Sequence, residues 1–362
     1  MESAAALPAI TGPGLDSRVH GCLMGGALGD TFGYSVQNDD GDAIRARFGS
    51  AGLLDLSQSQ GPQHFSACTQ LTLYTVDALV EALEWANDGV AADERACLWL
   101  AYLRWLATQQ QPVPAHAPVP APRRIDGQDV LHHRRHPDPA CLSSLSTGEM
   151  GTVARPVDPA ADGSGAVVRS APFGLIPHID AEAIHRLSTD AAALTHGHPA
   201  AQQSAAVFSW LIHELAIEAK GLREAAESAR LRAGAAGAAE SALTRGLDAA
   251  IELGAAGPLD AGELAVRLGS GQDAVGALTA GLYAVLATEA ASTSAVDHFL
   301  RAMRVAVNQD GDSSSAGSIA GNILGAFYGE DCLPQAWLAL SETPGLIRTV
   351  AQSLLRVTGS TN

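Results

Sequence analysis

The chain has 362 residues, of which 47% are hydrophobic and 17% charged, and its formal net charge is −17. That is enough apolar material for a sizeable core, which excludes global disorder. With 39 acidic against 22 basic residues and no cluster of Lys and Arg, neither nucleic acid nor an anionic membrane surface is an expected partner.

Aromatic residues are scarce, and Ala and Leu outweigh β-branched residues, so the intrinsic preference is helical. The five cysteines (Cys22, Cys68, Cys97, Cys141 and Cys332) are widely spaced and form no disulfide framework or zinc motif. Residues 1–16 read as a loose leader without the pattern of a signal peptide. No apolar run approaches the roughly 18 residues of a membrane span, so a cytoplasmic location is expected. Residues 17–358 read as one domain.

The text from Arg18 to Gly33, RVHGCLMGGALGDTFG, is dense in small residues. Gly21, Gly25, Gly29 and Gly33 recur every four positions, which lets two helix backbones approach closely. Leu73, Val76, Leu79, Val80 and Leu83 then mark an amphipathic helix over 69–88, with Ser66 or Thr69 as its cap and Gly89 beyond its end. A second helix is expected from Asp93 to Ala107, with Trp99, Tyr102 and Trp105 as core residues.

Residues 108–138 interrupt this pattern with the proline-rich QQQPVPAHAPVPAP and the charged RRIDGQDVLHHRRH. Proline excludes a helix interior, so we read an exposed, mobile insertion with solvated His132, His133 and His136. Pro199 opens a strong helix reaching toward Lys220, and Ala-rich helical text fills 222–253. Further helices are expected at 274–291, 296–308, 316–328 and 345–357. The fold class is therefore all-α, a compact many-helix orthogonal bundle with functional loops at helix ends.

Glycine- or hydroxyl-rich junctions precede or open several of these helices: GDTFGYSVQ from Gly29, FSACTQLTL from Phe65, DGSGAVVRSAPFGL from Asp162, LTHGHPAA from Leu194, LGSGQDAVGAL from Leu268, and VNQDGDSSSAGSIAGNILGAFYG from Val307. Taken singly, each reads as a turn with a helix cap, as Asp312 and its three serines illustrate. Together, their free N–H groups are suited to a phosphate without any net positive charge.

In order and wording these blocks resemble the ADP-ribosylglycohydrolase family over roughly residues 18–345. The resemblance implies a compact all-α domain that hydrolyses the bond between ADP-ribose and an acceptor, using two magnesium ions held by clustered carboxylates. It also implies ligand contacts from Gly163, Ser164 and Gly165, from Gly269, Ser270 and Gly271, and from Thr195 and His198.

At the metal positions the sequence departs from the family. The Thr-Asp-Asp-Thr block aligns on Ser66, Ala67, Cys68 and Thr69, so both carboxylates are missing. The Asp-x-Asp-Thr block aligns on Asp312, Ser313, Ser314 and Ser315 and keeps only its first Asp. Gln37 stands where some members carry Glu, and it has no proton to transfer. Of five acidic positions, only Asp312 remains, with Thr69 and Ser66 as vestigial metal contacts. Methyl, thiol and hydroxyl groups do not replace carboxylates around magnesium, so no cofactor is expected.

The leading expectation is thus a non-hydrolysing relative that binds ADP-ribose or a related nucleotide, or presents the cleft to a protein partner. One alternative is a hydrolase with altered chemistry, in which Cys68 is the nucleophile and His64 its base. Another is an interaction scaffold using the proline-rich stretch 112–122.

Overall fold

The computed structural model describes residues 12–37, 39–59, 63–235, 241–268 and 271–360. Among them there are sixteen α-helices and no strand, only two isolated bridges. The all-α expectation holds.

In chain order the helices are α1 (Leu15–Tyr34), α2 (Gly41–Phe48), α3 (Ala67–Asn87), α4 (Glu94–Thr108), α5 (Pro139–Leu145), α6 (Ala171–Gly174), α7 (Ala181–Ala193) and α8 (Pro199–Ala216). They continue as α9 (Leu222–Ala235), α10 (Ala242–Ala256), α11 (Ala261–Leu268), α12 (Ala274–Glu289), α13 (Ala295–Val307), α14 (Ser313–Tyr328), α15 (Gln335–Leu340) and α16 (Pro344–Val357).

Local chemistry fixes most of these starts. Asp40, Ser66, Asp93, Asp180, Asp273, Ser294 and Asp312 each accept a backbone N–H of the helix they precede. Pro199 occupies the first turn of α8, where a missing N–H costs nothing. Gly89 follows α3 at φ +78°, the left-handed geometry expected of a glycine closing a helix.

The molecule is organised around α1 and α14, both buried along nearly their whole length. They run antiparallel, in contact through glycine on both sides. A Cβ placed on Gly25 would lie 2.4 Å from the Gly321 carbonyl oxygen, and one on Gly29 would lie 2.0 Å from that of Gly317. Gly21 faces Gly325 and Gly329 in the same way, and Gly33 faces Ser313. The four-residue glycine spacing read from the sequence is therefore one half of a two-sided seam. Asn322 crosses it, donating from Nδ2 to the Cys22 carbonyl at 2.8 Å. The seam matters for function because it brings the C-terminal half of α1 against the N-terminus of α14.

Residues 108–138 correct the sequence expectation in part. The proline-rich stretch is non-helical, and His132, His133 and His136 are exposed as expected. The segment as a whole is not an exposed loop, however. Ala117, Ile125 and Leu131 are buried in the core, and Arg123 pairs with Asp77 and Glu84 on α3. Arg135, also buried, donates to Glu342 at 2.6 Å and to the Phe65 carbonyl at 3.2 Å. Its own carbonyl accepts the Ala67 N–H at 2.9 Å, so the segment braces the start of α3. Apolar and charged residues following the prolines give it this anchorage.

Candidate functional site

Four chain segments meet where α1, α3 and α14 converge. Asp30, in the second half of α1, is fully buried. Its Oδ2 accepts the Ser66 N–H at 2.9 Å, the Thr69 N–H at 3.2 Å and the Thr69 hydroxyl at 2.6 Å. Its Oδ1 accepts the Ser314 hydroxyl at 2.7 Å. Burial pushes the Asp30 carboxyl above its usual range, and the donors from Ser66, Thr69 and Ser314 only partly oppose that.

Asp312 caps α14 and receives a second set of donors. Its Oδ1 accepts the Ser315 N–H at 3.1 Å and the Gln37 amide at 3.5 Å. Its Oδ2 accepts the hydroxyls of Ser164 at 3.0 Å and Ser315 at 2.5 Å. The sequence-derived residues Gln37, Ser66, Cys68, Thr69, Ser164, Asp312 and Ser314 are therefore brought together, with Ala67 on the first turn of α3.

Asp30 is the residue that sequence reading passed over. It lies within the GDTFG block. The available signal is a single acid inside a helix of otherwise small or apolar residues from Gly21 to Gly33. Such an acid needs donors from another element. The cluster thus holds two carboxylates rather than one.

The residues present do not fit two hard divalent cations. A dinuclear magnesium centre brings four positive charges and needs carboxylate oxygens free to ligate. Here both oxygens of both aspartates already accept protein N–H or O–H donors. The Ser314 hydroxyl donates to Asp30. No chemical step is therefore routed through a metal.

Cys68 sits among hydroxyls rather than beside a base. Its sulfur lies 4.0 Å from the hydroxyls of Ser314 and Ser315. Burial, followed by the charges of Asp30 and Asp312, pushes its thiol well above the usual range. His64 is engaged elsewhere, with its Nδ1 on Glu342. The Cys68–His64 pair of the alternative reading has no hydrogen bond, and Arg135 and His64 share the Glu342 carboxylate at the outer edge of the cluster.

Two glycine-containing segments, residues 162–165 and Gly271, meet beside Asp312. Residues 162–165 pair with the start of α12 through the Ala274 N–H on the Asp162 carbonyl at 2.8 Å and a bridge between Gly163 and Asp273. Gly271, at φ +67°, takes the Asp312 N–H on its carbonyl at 3.3 Å. Gly269 and Ser270 lie outside the described residues. Ser164 bridges the loop to α14, with Ser315 at 2.9 Å.

The THGHP block behaves differently from the expectation. Thr195 is fully buried, its hydroxyl oxygen accepting from Arg169 and meeting His196 Nδ1, so it stands behind the loop rather than lining a cleft. His198 caps α8, its Nδ1 accepting the Ala200 N–H at 3.2 Å. His196 contacts Asp138. Asp138, Cys141 and His196 bring an oxygen, a sulfur and a ring nitrogen within 4.8 Å of one another.

A groove of about 780 Å³ lies elsewhere, between α3, residues 122–128 and α16. It shares no residue with the cluster, and its size alone does not make it the site. A smaller cavity of about 340 Å³ borders Gly271, Asp273 and Gly276, at the edge of the two glycine-containing segments. No described helix is long and apolar enough to cross a membrane.

Comparison with known proteins agrees with the geometry. The sequence model for ADP-ribosylglycohydrolase matches residues 11–362. No curated protein matches the chain. A solved structure described as an ADP-ribosylglycohydrolase-related protein complex superposes with a TM-score of 0.62 at 22% identity, covering 95% of this chain and 99% of that one. That likeness concerns the fold, whereas the sequence match extends over nearly the whole length. The chain belongs to the ADP-ribosylglycohydrolase family.

Proposed function

We propose that this protein is a family member that has lost metal-dependent hydrolysis and uses the remaining cleft to bind ADP-ribose or a related nucleotide without a divalent ion. One observation carries the reading: the hydroxyls beside the two carboxylates present donate to them. Ser314 donates to Asp30, and Ser164 and Ser315 donate to Asp312. A site adapted to cations would present free acceptors there.

Loss of both ions removes electrophilic stabilisation and positioning of the reacting sugar, each worth orders of magnitude in rate. Cys68 does not replace them, because a thiol held above its usual range is a weak nucleophile at neutral pH. What persists is the loop architecture around Ser164 and Gly271, whose backbone N–H groups are suited to phosphate oxygens.

Calorimetry with ADP-ribose tests the reading, performed once with EDTA and once with magnesium. Equal affinity in both is expected. Binding that requires magnesium, or steady release of ADP-ribose from a modified protein, would contradict it.

A further inference from the structure

A buried polar chain runs behind the glycine loop, outside the Asp30 and Asp312 cluster. It starts at Arg169, which is 1% exposed and holds its guanidinium 4.5 Å from the centre of the Tyr102 ring. One guanidinium nitrogen donates to Thr195 Oγ1 at 2.7 Å and to the Ala191 carbonyl at 3.1 Å. The other lies 3.3 Å from Cys141 Sγ. Thr195 Oγ1 meets His196 Nδ1 at 2.8 Å, and His196 Nε2 meets Asp138 Oδ2 at 3.1 Å. That same oxygen accepts the Gly165 N–H at 3.1 Å.

The loop is shaped to receive this carboxylate. A Cβ on Gly163 would lie 2.8 Å from Asp138 Oδ2, and one on Gly165 would lie 2.7 Å from it. Glycine at both positions lets Asp138 approach the loop backbone. Ser164, between them, then points to Asp312 and Ser315. Arg169 is held by neutral partners, the Thr195 hydroxyl, the Ala191 carbonyl and the face of the Tyr102 ring, and it is linked to Asp138 through the hydrogen bonds of Thr195 and His196.

We propose that Asp138, oriented by His196, Thr195 and Arg169, is the positioning residue for the loop at residues 163–165, fixing Ser164 and the loop N–H groups in the geometry that receives the ligand. The ligand clause rests on the nucleotide-binding reading above. A metal on Asp138, Cys141 and His196 is the competing use of the same groups. The guanidinium beside Sγ opposes it, and burial, partly offset by Arg169, pushes the Cys141 thiol up to about 12.

The test uses the full chain and two substitution pairs. Asp138→Asn keeps the shape but replaces an acceptor with a donor. His196→Ala removes the link to Asp138, whereas His196→Gln keeps a donor toward it and serves as the rescue. Hydrogen exchange over residues 162–168 is read beside exchange in α1 and α14. In Asp138→Asn and His196→Ala, loop exchange is expected to rise about tenfold or more, the size of a charge-assisted hydrogen bond. In His196→Gln it should stay near wild type, and the two helices should be unchanged in all variants. ADP-ribose affinity is expected to fall about tenfold in the same two variants.

If Asp138→Asn does not fold, the His196 pair decides. Unchanged loop exchange, or a rise spread evenly over the chain, overturns the proposal. So does zinc that raises the thermal midpoint of wild type but not of Cys141→Ala. If wild type binds no ADP-ribose, the nucleotide reading fails while the exchange comparison still decides the role of Asp138. If loop exchange rises without any change in affinity, the positioning role toward ligand is refuted.

Discussion

Replacing Asp30 separates shape from charge at the centre of the site. Asp30→Asn keeps the outline of the side chain and one oxygen for the Ser66 and Thr69 donors, now clustered within 3.2 Å of Oδ2. Its new amine faces Ser314, whose hydroxyl is able to turn from donor to acceptor. Ser314 then passes its own hydrogen to Ser66 Oγ at 3.3 Å. The variant loses charge assistance but also escapes the burial of a charge, so its stability should change by no more than about 1 kcal/mol. Asp30→Ala instead strands two N–H groups and a hydroxyl, at roughly 1–3 kcal/mol for each unsatisfied group. After partial relaxation a loss of roughly 3–5 kcal/mol is expected. Urea unfolding at pH 7 measures both. Equal damage from Asn and Ala would refute the reasoning, because the negative charge itself would then be required, as beside a bound cation.

Four further outcomes follow. Gly29→Ala places a methyl 2.0 Å from the Gly317 oxygen and should cost roughly 1–3 kcal/mol or more, whereas Gly345→Ala meets nothing within 4 Å and should be neutral or stabilising by up to about 1 kcal/mol in the same denaturation assay. Burial pushes the Asp138 carboxyl up, but His196 and the Ala140 and Gly165 N–H groups outweigh it and hold the carboxyl at about 2 against an ordinary 3.8. This folded value is depressed, so Asp138 contributes about 2 kcal/mol above pH 3.8 that is lost as pH falls toward 2; the stability gap between wild type and Asp138→Asn should close over that window. Asp30 has the opposite sign. Its folded value is raised, so the gap between wild type and Asp30→Asn should shift toward wild type as pH falls. Alkylation of Cys68 at pH 7.5 should be much slower than that of an unhindered thiol, as peptide mapping of the alkylated protein reports; rapid, selective labelling would contradict the raised thiol.

Much of this architecture was legible because it is written in local chemistry. The cap at Ser66, the proline opening α8, the aspartate capping α14 and the glycine spacing of α1 each act within a few residues of themselves. The convergence of Gln37, Cys68, Ser164 and Asp312 followed from the order of the family blocks. What was not legible depends on distant partners. Asp30 gains its meaning from donors 36 and 39 positions away, and from Ser314 at 284. Thr195 was expected at the ligand and turned inward, because its hydroxyl meets Arg169 and His196. Residues 108–138 read as a loose insertion because proline marks the absence of a helix. It does not mark the absence of burial, and Ile125, Leu131 and Arg135 supply that burial. Helix α7 also escaped the reading, although Asp180 caps it and Ile184, Leu187 and Ala191 face the core.

The most direct measurement of the central claim is a manganese titration of the purified chain, followed by electron paramagnetic resonance of the free ion. All four carboxylate oxygens of Asp30 and Asp312 already accept protein donors, so the signal should match that of buffer up to millimolar manganese. Loss of signal equivalent to two ions per chain at micromolar concentration would contradict the account.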